Sequence, residues 1–310
     1  MIQHIDEAYK PIVDREGATE MSNNFADVID LVYELVDYGS NLIPRAFASS
    51  ERDLKAICVI LVQLRQFVSH LDGMALLLGE GACATSSLQL RAILEIAHTF
   101  EWTLQSDTLS KIHHLYVANL RRRRNWNRLA IPSTVEAIRY AAKAPKLTLS
   151  LEQQKEVRNE LRKIDSLLAD PQFARINGKF EGHYLEHHFD KPWHEIYGAR
   201  SIRQVSKDIN KLAEYDGIYS SLSGVTHGSD IWRSIFFGTG KLAVAPIREP
   251  QHIPNSVQLA VTMTLRVYTL VLKEFRPGEE ENFARKYLDE WRDRFLKKYQ
   301  IEIKPTETVI

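Results

Sequence analysis

The chain has 310 residues, of which 44% are apolar and 26% are charged, with 14 glycines and 11 prolines. That composition is typical of a globular protein with a sizeable core; it excludes global disorder and argues against a turn-rich β-sandwich. The net charge of +0 conceals a segregation, because residues 6–37 hold nine acids and two bases whereas residues 111–146 hold nine bases and one acid. Such asymmetry favours either a polyanionic partner or an acidic-to-basic contact within the fold or between subunits.

Amphipathic helices are predicted along most of the first half of the chain. Apolar residues at helical spacing predict a helix from about residue 22, a longer one over about 50–78, and two more over about 84–104 and 110–125. A short helix follows Pro132. Ser150 and Gln153 form a capping box that opens a polar helix ending near residue 170.

The second half is less regular. Glycines and Pro192 predict a loop-rich insertion at about 171–200, after which helix resumes at about 201–225. A short hairpin or a loop is expected at about 234–247, and helices over about 255–275 and 279–299 close the chain. With no repeat and no flexible linker, we predict an all-α fold, with residues 1–310 forming one irregular helical bundle.

The cysteines and the apolar runs bear on the compartment. Cys58 and Cys83 are too few for a disulfide framework and lie in apolar, helix-like stretches, so we expect two buried thiols in a reducing environment. No apolar run is long enough to span a membrane, and the first residues lack the pattern of a secretion signal. The expectation is a cytoplasmic protein without a membrane partner.

Three polar residues share one stripe of the helix at 84–104. Arg91 and Glu95 are four residues apart, and Glu95 and His98 are three apart. The stripe is either a partly buried Arg–Glu pair that orients the helix, with His98 near the surface, or a polar site that faces a cleft.

A second polar ridge is formed by Tyr219, Ser223 and His227, which recur every four residues. Ser223 and His227 have the chemistry of a nucleophile and its base, but no G-x-S-x-G elbow or preceding strand accompanies them. A ridge of buried hydrogen-bonding groups is the better explanation. Because the stripe and the ridge would satisfy each other, we predict that Arg91 or Glu95 lies within hydrogen-bond reach of this ridge.

These segments resemble an uncharacterised bacterial family, a domain of unknown function. The likeness covers about residues 45–230 and is carried by Arg91 and Glu95, Trp193, the Ser201-Ile-Arg203 segment and the stretch at 219–228. The resemblance implies an all-helical fold and brings no assigned reaction.

The Arg91-x6-His98 spacing also resembles the motif of the helical HEPN ribonucleases, which are often toxins or phage-defence effectors. The resemblance implies metal-independent cleavage of RNA, in which the imidazole moves a proton and the guanidinium steadies the phosphate. Arg91, His98 and the neighbouring Glu95 are therefore the candidate catalytic residues. Ala92 departs from the family's usual polar residue, and Glu95 would compete with the phosphate for Arg91.

A basic run near residue 120 supplies candidate RNA contacts. It combines cations with an aromatic ring that can stack on a base, and its members are Arg121, Arg122, Arg124, Trp126 and Arg128. Four successive arginines point all round a helix, so one or two of them must pair internally. A solvated helix end is the alternative explanation.

Neither a metal nor a cofactor is expected. His183, Glu186 and His187 match the H-x-x-E-H pattern of inverted zinc peptidases, but Gly182 and Pro192 leave a short helix and no third ligand is evident. The sequence contains no phosphate-loop motif and no dinucleotide-binding fingerprint.

Two functions therefore stay open. The first is a metal-independent RNA-cleaving effector of toxin or phage-defence type. The second is a non-catalytic helical module that binds a protein partner or a small ligand in a pocket between Arg91/Glu95 and Tyr219/Ser223/His227. The segregated charges also predict a homo-oligomer. Burial of both Arg91 and His98 would exclude the ribonuclease hypothesis.

Overall fold

The computed structural model of the chain describes residues 13–50, 54–141, 149–227, 235–238 and 241–299. Most of these residues are helical, so the predicted all-α fold is confirmed. Contacts along the chain define two compact units: the first comprises the described residues up to Trp102 and from Ser206 onward, and the second comprises Thr103–Val205.

The helices, in chain order, are α1 (Arg15–Asn23), α2 (Ala26–Ala48), α3 (Leu54–Gly79), α4 (Cys83–Gln105), α5 (Thr108–Leu129), α6 (Val135–Ala141), α7 (Leu151–Leu168), α8 (Pro171–His187), α9 (Trp193–Tyr197), α10 (Ile202–Asp208), α11 (Leu212–His227), α12 (Ile253–Phe275), α13 (Glu280–Lys286) and α14 (Arg292–Phe295). A π-helical turn at Tyr287–Trp291 joins α13 to α14. Strands β1 (Ile235–Gly238) and β2 (Lys241–Val244) pair antiparallel within the range where the sequence placed a hairpin or a loop.

The core of the first unit lies where α2 packs against α3 and α12. Each of these helices carries an apolar stripe at helical spacing, and the stripes bury one another. Leu35, Phe67 and Tyr268 are fully buried there. The hydroxyl of Tyr268 donates to the backbone oxygen of Leu35 at 2.7 Å, which satisfies the one polar atom of this side chain.

The two thiols have different environments. Cys58 is exposed on α3, which corrects the expectation that both cysteines are buried. Cys83 is buried at the start of α4, and burial, reinforced by the nearby carboxylate of Glu249, raises the pKa of its thiol to about 12. The periodicity of α3 places Cys58 outside its buried stripe.

The second unit is built around α5, which contacts α6, α7, α8 and α9. Its apolar centre comprises Val117 and Leu120 of α5, Ile164 and Leu168 of α7, and Phe173 and Phe180 of α8. The predicted capping box is confirmed at the start of α7, where the Ser150 hydroxyl accepts from the backbone N–H of Gln153 and the Gln153 side chain accepts from the backbone N–H of Ser150.

The irregular insertion expected at about 171–200 is wrong in its first half, because Pro171–His187 is a continuous helix. Asp170 caps it by accepting from the backbone N–H of Gln172, and Pro171 is suited to the first helical turn. Gly178 and Gly182 have open space above them and interrupt nothing. The fully buried Phe173 and Phe180, seven residues apart, hold the helix on the core.

The helix expected over about 201–225 is two helices. Asn210 adopts a left-handed conformation with φ 59° between α10 and α11, a conformation that asparagine tolerates better than most residues. The prediction of a single domain over residues 1–310 stays a prediction.

Candidate functional site

The predicted meeting of the two polar stripes is confirmed in the first unit. The guanidinium of Arg91, on α4, donates to the hydroxyl of Tyr219, on α11. The same guanidinium lies 4.3 Å from the centre of the Tyr219 ring, a cation–π distance. Helical spacing within each segment therefore identified two residues that are 128 positions apart in sequence and in contact in space.

Glu95 and Tyr215 complete what we call the Arg91–Tyr219 site: Arg91, Glu95, Tyr215 and Tyr219. Arg91 Nε donates to Glu95 Oε1 at 3.2 Å, and the two side chains remain 19% and 35% exposed. The Tyr215 ring stacks on that of Tyr219, with centroids 4.6 Å apart. Burial raises the pKa of Tyr215 to about 12, so its hydroxyl stays neutral at physiological pH. The site thus joins a half-exposed ion pair to a stack of two phenols.

The remaining ridge residues are placed less completely. Ser223 lies half-buried on α11, one turn beyond Tyr219. His227 is the last residue of α11, and its side chain lies outside the part of the chain that the structure describes. A contact between Ser223 and His227 stays a prediction.

His98 does not lie near the surface, as one of the two interpretations of the stripe expected. The residue is 0% exposed. Its Nδ1 lies 2.8 Å from Ser206 Oγ, and its Nε2 lies 3.0 Å from Glu214 Oε1. Because a carboxylate only accepts hydrogen bonds, Nε2 carries a proton. Both ring nitrogens are thus engaged inside the first unit, which is the environment of a structural histidine.

Glu214 also binds a cation, Arg266 on α12. Two guanidinium nitrogens of Arg266 donate to the two oxygens of Glu214 at 2.8 Å each, and Arg266 Nε lies 3.2 Å from Glu101. Burial by itself raises the pKa of Glu214, but the hydrogen bonds from His98 and Arg266 outweigh it and lower the pKa to about 2. This buried network holds α4, α11 and α12 together. No sequence motif indicated a role for Ser206, Glu214 or Arg266.

Two arginines of the basic run, Arg121 and Arg124, form ion pairs inside the second unit. Arg121 is 0% exposed and donates to Asp190, Glu181 and Asn177 at distances between 2.6 and 3.0 Å. Arg124, 9% exposed, also reaches Glu181 at 3.2 Å. The internal pairing expected for one or two arginines is therefore observed, and these two side chains do not present their charge to a partner.

The rest of the run divides into paired and unpaired groups. Arg128 pairs with Glu136 at 3.2 Å, and the exposed Arg123 pairs with Glu160 at 2.9 Å. Arg122 is exposed and forms no ion pair with any residue in the described ranges. Trp126 is 63% exposed, far more than an indole ring with a packing role would be. Of the five candidate residues, Arg121, Arg124 and Arg128 form ion pairs, which leaves the exposed Arg122 and Trp126 as candidate contacts for a partner.

The histidine pattern near residue 185 lies at the end of α8. His183 Nδ1 donates to the backbone oxygen of Phe189 at 2.9 Å, and the rings of His183 and His187 are in contact, with centroids 4.3 Å apart. Among the described residues, no group of three or more His, Cys, Asp or Glu side chains is arranged to hold a metal ion.

The fold and the site together define an all-α protein with a polar site between α4 and α11. Residues 58–240 match the model of DUF5677, a family of unknown function, and the chain belongs to that family. The matched range contains the Arg91–Tyr219 site and the whole second unit. No curated protein and no solved structure matches the chain. None of the helices in the described ranges is long and apolar enough to cross a membrane.

Proposed function

We propose that this protein is a helical binding module and that a partner or small ligand contacts it at the Arg91–Tyr219 site. The observation that supports the proposal is the Arg91–Glu95 ion pair, which is held against two stacked phenols and still keeps 19% and 35% of its side chains exposed. A partly exposed ion pair contributes little to stability by itself, typically less than about 1 kcal/mol. An accessible donor and acceptor side by side suit a ligand that carries both, such as an amide.

The test uses freshly purified full-length chain and native mass spectrometry, which detects a co-purifying small molecule as added mass. Wild type is compared with Glu95→Gln and Tyr219→Phe, and with Glu20→Gln as control, because Glu20 is exposed on α1. We expect wild type and Glu20→Gln to carry the ligand and the two site variants to lose it. Equal retention by all four proteins contradicts the proposal, and a ligand-free wild type contradicts its small-ligand form.

The RNA-cleaving function predicted from Arg91-x6-His98 is the less supported alternative. A general acid or base has to reach the proton that it transfers, whereas His98 is 0% exposed and engaged at both nitrogens. Arg91 keeps part of its surface exposed, so the condition that would exclude the hypothesis, burial of both residues, is not met. RNA cleavage therefore stays a prediction, to be tested against the binding module.

His98→Ala separates the two functions. If His98 is structural, its replacement by alanine removes the hydrogen bonds to Ser206 and Glu214 inside the first unit, which costs roughly 1–3 kcal/mol. We expect His98→Ala to have a lower melting temperature than wild type. Cellular RNA should stay intact whether wild type or His98→Ala is expressed. RNA degradation by wild type that disappears in His98→Ala, with the melting temperature unchanged, would instead establish His98 as the catalytic residue.

A further inference from the structure

A groove of about 480 Å³ opens in the second unit, and no residue of the Arg91–Tyr219 site lines it. One wall is the face of α5 that carries Arg122, Asn125 and Trp126, and the other is the segment from Asp190 to Trp193 at the start of α9. Trp126 and Trp193 are therefore both at its surface. A volume of this size is typical of sites for small organic ligands.

Arg122 and Trp126 are four residues apart on α5, so they stand one turn apart on the same face of the helix. Arg122 is exposed and Trp126 is 63% exposed. A flat aromatic ring with an open face and a planar guanidinium beside it offers stacking and an anion contact within the span of one helical turn.

The charges of the groove are arranged for an anion. Asp190 is the acidic residue of its lining, and its two oxygens are already used: Oδ1 accepts from Arg121 at 2.8 and 3.0 Å and Oδ2 accepts from Asn125 at 3.2 Å. Neither Arg122 nor Lys191, the cations of the lining, forms an ion pair with a described residue. The buried Arg121 thus neutralises the carboxylate and leaves the lining with an excess of positive charge.

We propose that this groove binds a nucleoside monophosphate, or a nucleotide unit of the same chemistry at the end of an RNA strand. The base stacks on Trp126, and Arg122 and Lys191 hold the phosphate. Two tryptophans alone would suit any apolar ligand, and two cations alone would suit any phosphate; their combination in a cavity of about 480 Å³ favours one ligand that carries both a flat ring and an anion. This inference does not rest on the function proposed for the Arg91–Tyr219 site.

Isothermal titration calorimetry on the full-length chain tests the proposal with three probes: adenosine monophosphate, adenosine and inorganic phosphate. Adenosine monophosphate should bind about 10-fold or more tightly than either of its halves, because it alone engages the ring and the cations together. Trp126→Ala should weaken the binding of adenosine monophosphate about 5- to 100-fold, the range expected when a base loses a stacking partner. Trp126→Phe should restore most of that loss.

The matched control is Arg123→Ala against Arg122→Ala. The two arginines are adjacent and exposed, but Arg123 is paired with Glu160 and does not line the groove. Arg122→Ala should weaken adenosine monophosphate and leave adenosine unchanged, whereas Arg123→Ala should change neither. Absence of saturable binding, or equal loss in both arginine variants, overturns the proposal.

A further arm distinguishes the two sources of the nucleotide. If a short 5′-phosphorylated single-stranded RNA binds more tightly than adenosine monophosphate and depends equally on Trp126 and Arg122, the groove holds the end of a strand. If the mononucleotide binds as tightly as the RNA, the groove is a site for the free nucleotide. RNA binding that is insensitive to Trp126→Ala excludes the strand end as the ligand of the groove.

Discussion

Gly39 has no room for a side chain, because the phenol of Tyr268 fills the space above it. A Cβ added at Gly39 would lie 2.0 Å from the Tyr268 hydroxyl oxygen and 2.8 Å from a methyl carbon of Val68. Tyr268 is fully buried and its hydroxyl is held by Leu35, so the ring is not free to move aside. The glycine at this position is therefore a packing requirement of α2 against α12.

Gly39→Ala should lower the free energy of unfolding by about 1–3 kcal/mol, the usual effect of an overfilled core. Gly178→Ala on α8 is the control, since nothing lies within 4 Å of its position. That variant should be neutral or up to about 1 kcal/mol more stable, because alanine favours helix over glycine. Urea unfolding measures both, and equal stabilities of the two variants would contradict the packing explanation.

The contrast between Arg91 and His98 shows what residue spacing can and cannot predict. The four-residue repeats placed Arg91 and Tyr219 on polar faces that need partners, and this was enough to predict their contact. The same reasoning left the surroundings of His98 open, because Ser206 and Glu214 approach it only through the packing of α10 and α11 on α4. Spacing within one helix carries no information about which residues a second helix brings to it.

At the scale of helices, Arg121 links α5 to α8 and to the segment before α9. Arg121→Ala should destabilise the protein by roughly 3 kcal/mol, the low end for a buried charge that loses its partner, because Glu181 is still 42% exposed to water. Arg123→Ala removes an exposed pair, with Arg123 66% exposed, and should cost less than about 1 kcal/mol. Chemical denaturation of the two variants measures the difference. A similar loss of unfolding free energy in both would mean that the Arg121 contacts do not stabilise the fold.

The Glu214 network makes the attachment of α11 sensitive to acid. The ordinary pKa of this carboxyl is near 4.5 and its pKa in the folded protein is about 2. Its contribution to stability is therefore complete above pH 4.5 and is lost as the pH falls toward 2. In Glu214→Gln that loss should be absent, so the stability gap between wild type and variant should shrink over this range, by at most about 1.4 kcal/mol per pH unit for one group. Parallel stability curves from pH 5 to pH 2 would refute the assignment.

Helix α8 was not predicted from the sequence. Gly178, Gly182 and the nearby Pro192 suggested loop, yet glycine on a solvent-facing side of a helix costs only about 1 kcal/mol relative to alanine. The burial of Phe173 and Phe180 offsets that amount, since an apolar side chain of this size contributes on the order of 2 kcal/mol. Local residue preferences were outweighed by contacts with α5 and α7, which no local pattern contains.

At the scale of the molecule, part of the segregated charge is paired within the unit that carries it. In the first unit, Glu34 accepts from Arg294 at 2.8 Å, a hydrogen bond that lowers the pKa of the carboxyl, and Asp27 pairs with Lys297 at 2.5 Å. In the second unit, acids of α7 and α8 meet the basic run. The charges that are paired in this way need neither a polyanion nor a subunit contact.

The homo-oligomer stays a prediction. Because several charged side chains are paired within their own unit, fewer of them are available for contacts between subunits. Asp30 and Asp37 are exposed and form no ion pair with a described residue, and Arg122 is their unpaired counterpart in charge. Light scattering after size-exclusion chromatography should give twice the chain mass or more at micromolar concentration and moderate salt. Because exposed charges are screened by salt, the assembly should weaken as salt rises. A monomer at every salt concentration would rule the prediction out.

The two thiols differ in accessibility, so the native chain offers one site for covalent labelling. Only a thiolate reacts readily with maleimides, and the buried Cys83, with its pKa of about 12, offers almost none at neutral pH, whereas Cys58 stands open on α3. A fluorophore or spin label should therefore couple to one position of the native chain without any engineered cysteine, and to two after unfolding. Counting labels per molecule over time would then report how often the first unit opens around α4.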